Sequence, residues 1–257
     1  MLDTAVIPCG GLGTRLHPIT RWLPKEMLPV ALRPVLHWAF DEAAGAGLLR
    51  VIVVTNPHKP MLEAVARSYT GPLELEFVPQ DHPRGLGDAL LRARDHLAGS
   101  AFVALLPDNL FLGANPTEAV LTVHRATGLT TVLLAEVTRE DARSKGATGR
   151  ASVERAADGG YRVVAIADKG KGRFDPGQER AFTPIGRMVF PAGSLERFDA
   201  VGRGLAPGAE LDDVPVLQQL AREGALAGAV ADARFFDVGV PEGYRDAVMA
   251  FPATAPL

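Results

Sequence analysis

The chain has 257 residues, 47% of them hydrophobic and 22% charged, enough apolar material for one large core or two small ones. Its 27 basic and 30 acidic side chains leave a formal charge of −3, so no overall basic field serves nucleic acid and any anion binding must be local. No apolar run approaches the roughly 18 residues of a membrane span, and the start "MLDTAVIPCG" has neither a basic nor an apolar leader region; a cytoplasmic location without a membrane partner is expected. The single cysteine, Cys9, excludes an internal disulfide and a multi-cysteine metal site. At a strand end it reads as a small buried hydrophobe.

In chain order, short runs rich in Val, Ile and Leu alternate with stretches of helical period: "TAVIP", "PVLHWAFDEAAGAG", "RVIVVT", "MLEAVARSY", "LELEFV", "GDALLRARDHL", "AFVALLPD", "PTEAVLTVHRATG" and "TTVLLAEV". This alternation predicts an α/β core over residues 1–137, a mainly parallel sheet covered by helices. Ligands of such sheets bind beyond the carboxyl ends of the strands. Over residues 138–230 the pattern turns to strand-like pieces, "ASVERA", "YRVVAIAD" and "IGRMVF", broken by charged turns such as "DKGKGRFDPGQER". A smaller, β-rich portion is predicted there, closed by a helix at "DDVPVLQQLAREG". Residues 231–257 read as a returning strand, "ARFFDVG", and a last helix, "PEGYRDAVMAF". The three portions are expected to form one structural domain.

The loop after the first strand, "PCGGLGTRLHPITRWLPKEMLPV", concentrates glycine, proline and positive charge. Gly10, Gly11 and Gly13 permit positive φ and a close approach of backbone N–H groups to a phosphate, although three glycines alone also suit a tight turn that holds nothing. The P-loop pattern lacks its terminal Gly-Lys-Ser/Thr here, and the dinucleotide fingerprint lacks its third glycine, where this chain has Leu16. Arg15 can fork onto phosphate oxygens and Lys25 adds a point charge. Pro18, Pro24 and Pro29 forbid a continuous helix and stiffen the loop, which lowers the entropy lost on closing over a ligand. Together they point to a polyphosphate site.

The stretch "GGLGTRLHPITRWLPKEMLPV" resembles the signature of the sugar-phosphate nucleotidyltransferases, and "LPKEMLPV" is most similar to that of the bacterial UTP:glucose-1-phosphate uridylyltransferases, or UDP-glucose pyrophosphorylases. The resemblance runs from Ala5 to about Phe251. It implies a Rossmann-like, mixed but mainly parallel sheet flanked by helices, with a smaller β-rich sugar-binding lobe. It also implies transfer of a nucleotidyl group from a nucleoside triphosphate, UTP above others, to a sugar 1-phosphate. By the same resemblance Gly10, Gly11, Gly13 and Thr14 wrap the nucleotide, Arg15 grips the leaving phosphates and Lys25 steadies the reacting ones.

"VPQDHPRGLGDALLRA" resembles the family segment in which a glutamine reads a pyrimidine above a glycine turn, roles that fall on Gln80 and Gly85. A Gln amide offers a donor and an acceptor, which suits the N3–H and carbonyl edge of uracil or thymine. Asp108, in "ALLPDN", and Asp237, in "FFDVGVPEGY", each sit at a strand end; either could be a helix cap, but together they resemble the family's pair of Mg²⁺ ligands, a fit for hard oxygen donors. The sugar side departs from the family. Thr148 and Gly149 stand in place of Tyr-Gly, and Asp168, Lys169 and Gly170 in place of Glu-Lys-Pro. The resemblance assigns Gly149, Asp168, Lys169, Gly186 and Glu210 to the sugar phosphate, while "DKGKGR" on its own reads as an exposed charged turn. Three alternatives follow: another sugar or cyclitol phosphate as acceptor, dTTP as donor, because the thymidylyltransferases share "GTRLHP", or a non-catalytic regulator that binds nucleotide sugars. By the resemblance, a homodimer or homotetramer is the expected range.

Overall fold

Apolar residues on both faces of the strands set the architecture. In β1 (Thr4–Pro8) Ala5 and Ile7 enter one core and Val6 the other, the pattern of a strand covered on both sides. The computed structural model describes residues 2–139, 147–148, 151–156, 160–168, 170–171 and 179–252. After β1 come a small hairpin, β2 (Pro29–Val30) and β3 (Arg33–Pro34), then α1 (Val35–Gly45), β4 (Arg50–Thr55), α2 (Pro60–Arg67) and β5 (Glu74–Pro79). The chain continues through α3 (Leu86–Arg92), α4 (Arg94–Leu97), β6 (Phe102–Leu105), β7 (Asn109–Gly113), α5 (Pro116–Thr127) and β8 (Thr130–Thr138). The next described strands are β9 (Ala147–Thr148), β10 (Ala151–Arg155), β11 (Tyr161–Ile166), β12 (Gly170–Lys171) and β13 (Arg180–Phe190). Helices α6 (Leu195–Arg203) and α7 (Val214–Arg222), strands β14 (Leu226–Ala229) and β15 (Ala233–Asp237), and helix α8 (Pro241–Ala250) complete the order.

Nine strands form one sheet in the order β10-β11-β14-β8-β13-β6-β1-β4-β5. Strands β6, β1, β4 and β5 are mutually parallel, whereas β13 runs antiparallel to both β6 and β8. The expected mixed α/β sheet is therefore present. Its strand β8, which reads in sequence as a continuation of the parallel set, is separated from β6 by β13.

Each face has its own core. Phe40, Leu62 and Leu121, from α1, α2 and α5, pack on Ile7, Val53 and Leu105. On the other face Leu90, Phe198 and Leu217, from α3, α6 and α7, pack on Ile52 and Phe102. A third cluster joins Leu16, Leu28 and Val30 of the opening loop to Leu110, Phe236 and Phe251. That cluster fixes the loop against the antiparallel β7–β15 pair and the segment after α8. Among the described residues no helix is long and apolar enough to cross a membrane.

Candidate active site

Four parallel strands end on one side of the sheet, and each hands the chain to a turn that carries polar groups. β1 leads to Gly10, Gly11 and Gly13, β4 to Asn56 and Lys59, β5 to Gln80, and β6 to Asp108. Asp237 arrives by another route. It ends β15, whose antiparallel register with β7 sets it opposite Asn109, and the next N–H, of Val238, donates to the Asp108 carbonyl at 2.8 Å.

The proline-interrupted loop folds as three short 3-10 turns, Thr14–Leu16, Ile19–Arg21 and Lys25–Met27, in place of a continuous helix. Gly13 takes φ +66°, and Thr20 Oγ1 donates to its carbonyl at 2.7 Å. Trp22, between the last two turns, is 86% exposed. Lys59 Nζ donates to the carbonyls of Cys9 (2.7 Å) and Gly11 (2.6 Å) and pairs with Glu26 at 3.0 Å. Asn56 Nδ2 donates to the Gly10 carbonyl at 3.2 Å. The loop's carbonyls are thus held by fixed donors, so its shape is set before a ligand arrives.

Lys25 Nζ donates to Asp108 Oδ2 in a largely buried ion pair. Burial disfavours the Lys25 ammonium, but Asp108 and then Glu26 outweigh it and hold its pKa above the ordinary lysine value. Burial likewise opposes the Asp108 carboxylate, and Lys25 more than offsets it, so this carboxyl titrates below its usual range. Asp237 behaves oppositely: burial first, and the Asp108 charge second, push it up to about 6, with Arg15 Nη1 lying 3.6 Å from its Oδ2. A β-carbon at Gly239 would stand 2.9 Å from Arg15 Nη2, 2.9 Å from Asp108 Oδ2 and 3.0 Å from Asp237 Oδ1. The two carboxylates therefore flank one point and repel each other. Such an oxygen pair fits Mg²⁺, which takes one or two carboxylates and completes its shell with water and phosphate oxygens. No cluster of three or more His, Cys, Asp or Glu able to hold a metal occurs among the described residues.

Gly10, Gly11, Gly13, Thr14, Lys25, Gln80, Gly85, Asp108 and Glu210 line a common cavity of about 350 Å³. Gln80 is 2% exposed, and its Nε2 donates to Asp88 Oδ2 at 2.7 Å and to the Gly85 carbonyl at 3.3 Å. Gly85 adopts φ +96°, and a β-carbon on it would meet the Leu211 carbonyl at 2.5 Å. Backbone bonds from Leu211 N–H to Arg84 and from Gly87 N–H to Leu211, both 2.8 Å, bring the Glu210 segment to this turn. Gly186 lies beside the Asp108 turn, its carbonyl accepting from Leu106 N–H at 2.9 Å. Asp168 accepts from Gln218 Nε2 at 2.9 Å and lines neither this cavity nor the larger one described next. Gly149 and Lys169 lie outside the described residues. The larger cavity, about 520 Å³, lies among β8, β15 and α8 and has Asp237 in its wall, whereas Lys25, Gln80, Asp108 and Glu210 line the smaller one. Sequence reasoning passed over Glu26, Asn56, Lys59, Asp88 and Gly239. Asn56 and Lys59 follow the end of β4, where the strand-end rule alone would have directed attention.

A phosphate-handling α/β protein is the class that a glycine turn, parallel strand ends and two cation–carboxylate pairs define. The pattern of the nucleotidyl transferase family matches residues 4–253, and the chain belongs to that family. It is similar to a candidate UTP–glucose-1-phosphate uridylyltransferase of Bacillus subtilis (strain 168), with 27% identity over 266 residues, covering 95% of this chain and 94% of that protein. It is also 31% identical over 231 residues to UTP–glucose-1-phosphate uridylyltransferase 1 of Streptococcus pyogenes serotype M3 (strain ATCC BAA-595 / MGAS315), covering 80% and 73% of the two chains. In fold it is similar to a UDP-glucose pyrophosphorylase solved with UDP-glucose: TM-score 0.83, 23% identity, 97% of this chain and 98% of that one covered. The expected family, its fold and its enzyme class are borne out.

Proposed function

We propose that the chain transfers the uridylyl group of UTP to glucose 1-phosphate and releases pyrophosphate. The observation that carries this reading is the meeting of Lys25–Asp108 and Arg15–Asp237 around Gly239, beside a glycine-lined cavity. A phosphate oxygen of the sugar 1-phosphate attacks the α-phosphorus in line. The bond from that phosphorus to the bridging oxygen of the β-phosphate breaks, and its electron pair leaves on pyrophosphate. The nucleophile is already ionised, so no general base and no protein nucleophile are needed. The one thiol, Cys9, is buried, and burial, then Glu26, pushes its pKa up.

Catalysis is then alignment and charge neutralisation. In this reading Gly10, Gly11, Gly13 and Thr14 cradle the triphosphate, Arg15 holds the departing phosphates and Lys25 exchanges its bond to Asp108 for the reacting phosphate. Gln80 reads the base above Gly85, and Glu210 accepts from a hydroxyl. Asp108 and Asp237 would hold Mg²⁺, which when bound neutralises charge on the phosphate oxygens. The sugar phosphate falls to Gly149, Asp168, Lys169 and Gly186.

Pyrophosphate release from UTP, dTTP, GTP, ATP and CTP, each against a panel of sugar 1-phosphates, tests the reading. UTP with glucose 1-phosphate is expected to be fastest, to stop on chelation of divalent cations and to recover with Mg²⁺. Lys25→Ala and Asp108→Asn should each lower kcat by about 10²-fold or more with the far-UV circular dichroism of the wild type; near-normal release by either rejects the assignment. One observation favours a second reading, with another sugar or cyclitol phosphate as acceptor: Asp168 is engaged by Gln218 and does not line the cavity. A strong preference for a non-glucose acceptor would select it, and binding of a UDP-sugar without any turnover would instead identify a regulator.

A further inference from the structure

The amide of Gln80 is held in one orientation by chemistry that leaves no choice. Asp88 Oδ2, at 2.7 Å, and the Gly85 carbonyl, at 3.3 Å, both lie at one end of it. Both can only accept, so the NH₂ end must face them. The Oε1 end is then turned to Gly10, where it fills the space that a β-carbon would take, and Gly10 and Gln80 both line the cavity. Gln80 is 2% exposed, so water has little room to substitute for either partner. Asp88 is itself steadied on α3, where Arg92 Nη2 approaches its Oδ1 at 3.4 Å, one helical turn on.

We propose that Asp88 is a positioning residue for base choice: by locking the Gln80 amide it presents the cavity with a fixed acceptor and no donor. This rests on the base-reading role of Gln80 proposed above. Uracil and thymine carry an N3–H that satisfies such an acceptor. Cytosine carries an unprotonated N3 at the same place, and two lone pairs then face each other in a site where neither can be hydrated. A carboxylate is what this lock requires. An amide or hydroxyl at position 88 can donate as well as accept, and would allow Gln80 to turn and offer Nε2 to cytosine.

Asp88→Asn and Asp88→Ala, made in the full chain, test the lock. The readouts are kcat/KM for UTP and CTP with one fixed sugar 1-phosphate, and equilibrium binding of UTP and CTP alone, which needs no turnover. The UTP-over-CTP ratio is expected to fall by about tenfold or more in both assays, while kcat with UTP stays within about threefold of wild type. A ratio unchanged in both variants overturns the proposal. So does a parallel loss of UTP and CTP binding, because Asp88 would then support the pocket without selecting a base. Wild-type protein that does not favour UTP over CTP rejects the base-reading role itself, a failure seen without any variant.

Discussion

Gly239 stands where Arg15, Asp108 and Asp237 converge, with 2.9–3.0 Å between its missing β-carbon and an atom of each. All three neighbours are side-chain ends, which can give by a few tenths of an ångström at the expense of their spacing. Gly239→Ala is therefore expected to lower kcat by about 10²-fold with little change in the thermal midpoint; wild-type kcat, measured by pyrophosphate release, would show that the spacing of the two carboxylates is not critical. At this scale the charged residues Arg15, Lys25, Asp108 and Asp237 were readable because each lies in a run that resembles a known pattern. The demand at Gly239 was not, since the close approach of Arg15 and Asp108, both more than 100 positions away, leaves no mark on the local sequence. Glu26 was missed for the same reason: it looks like an ordinary charged residue until the loop that carries Lys59 meets it.

Among the elements, strands with β-branched runs, such as β1 and β4, were readable, and so was the short apolar run of β6. β14, "LAGA", has no β-branched residue, and β7 follows the Asp108 turn so closely that it reads as more of the same loop. The predicted helix "GDALLRARDHL" is two short helices, α3 and α4. Within β13, Arg187 falls by alternation on the face of Ile185 and Val189 and is 0% exposed. It donates to both Glu42 oxygens on α1 (2.5 and 2.6 Å) and to the carbonyls of Leu106 (2.9 Å) and Asn109 (2.8 Å), on either side of Asp108. Thr117 of α5 adds a hydroxyl to Glu42 at 2.5 Å. Removing one partner of such a pair leaves an uncompensated buried charge, at about 3–5 kcal/mol. Arg187→Met should thus lower the thermal midpoint by about 10 °C. A fall under about 2 °C by calorimetry would mean that desolvation had cancelled the attraction.

For the molecule as a whole, the alternation of strand and helix identified an α/β protein, but strand order was beyond local pattern. β13 enters between β6 and β8, pairing Val189 with Val103 on one side and Thr131 on the other. Nothing in "IGRMVF" signals which distant strands it will join. The same arrangement leaves the chain's two tryptophans in unlike settings. Trp38 donates to the Val30 carbonyl at 3.0 Å and packs edge-on against Phe251, 4.9 Å between centroids. Trp22 projects from the opening loop into solvent, three residues before Lys25. The protein consequently carries its own optical gauge, with a steady internal reference in Trp38 and a sensor in Trp22. Titration with UTP is expected to shift the wild-type emission, and Trp22→Phe should abolish the shift while the Trp38 signal persists. A shift retained in Trp22→Phe would place the response in Trp38 and its aromatic neighbours.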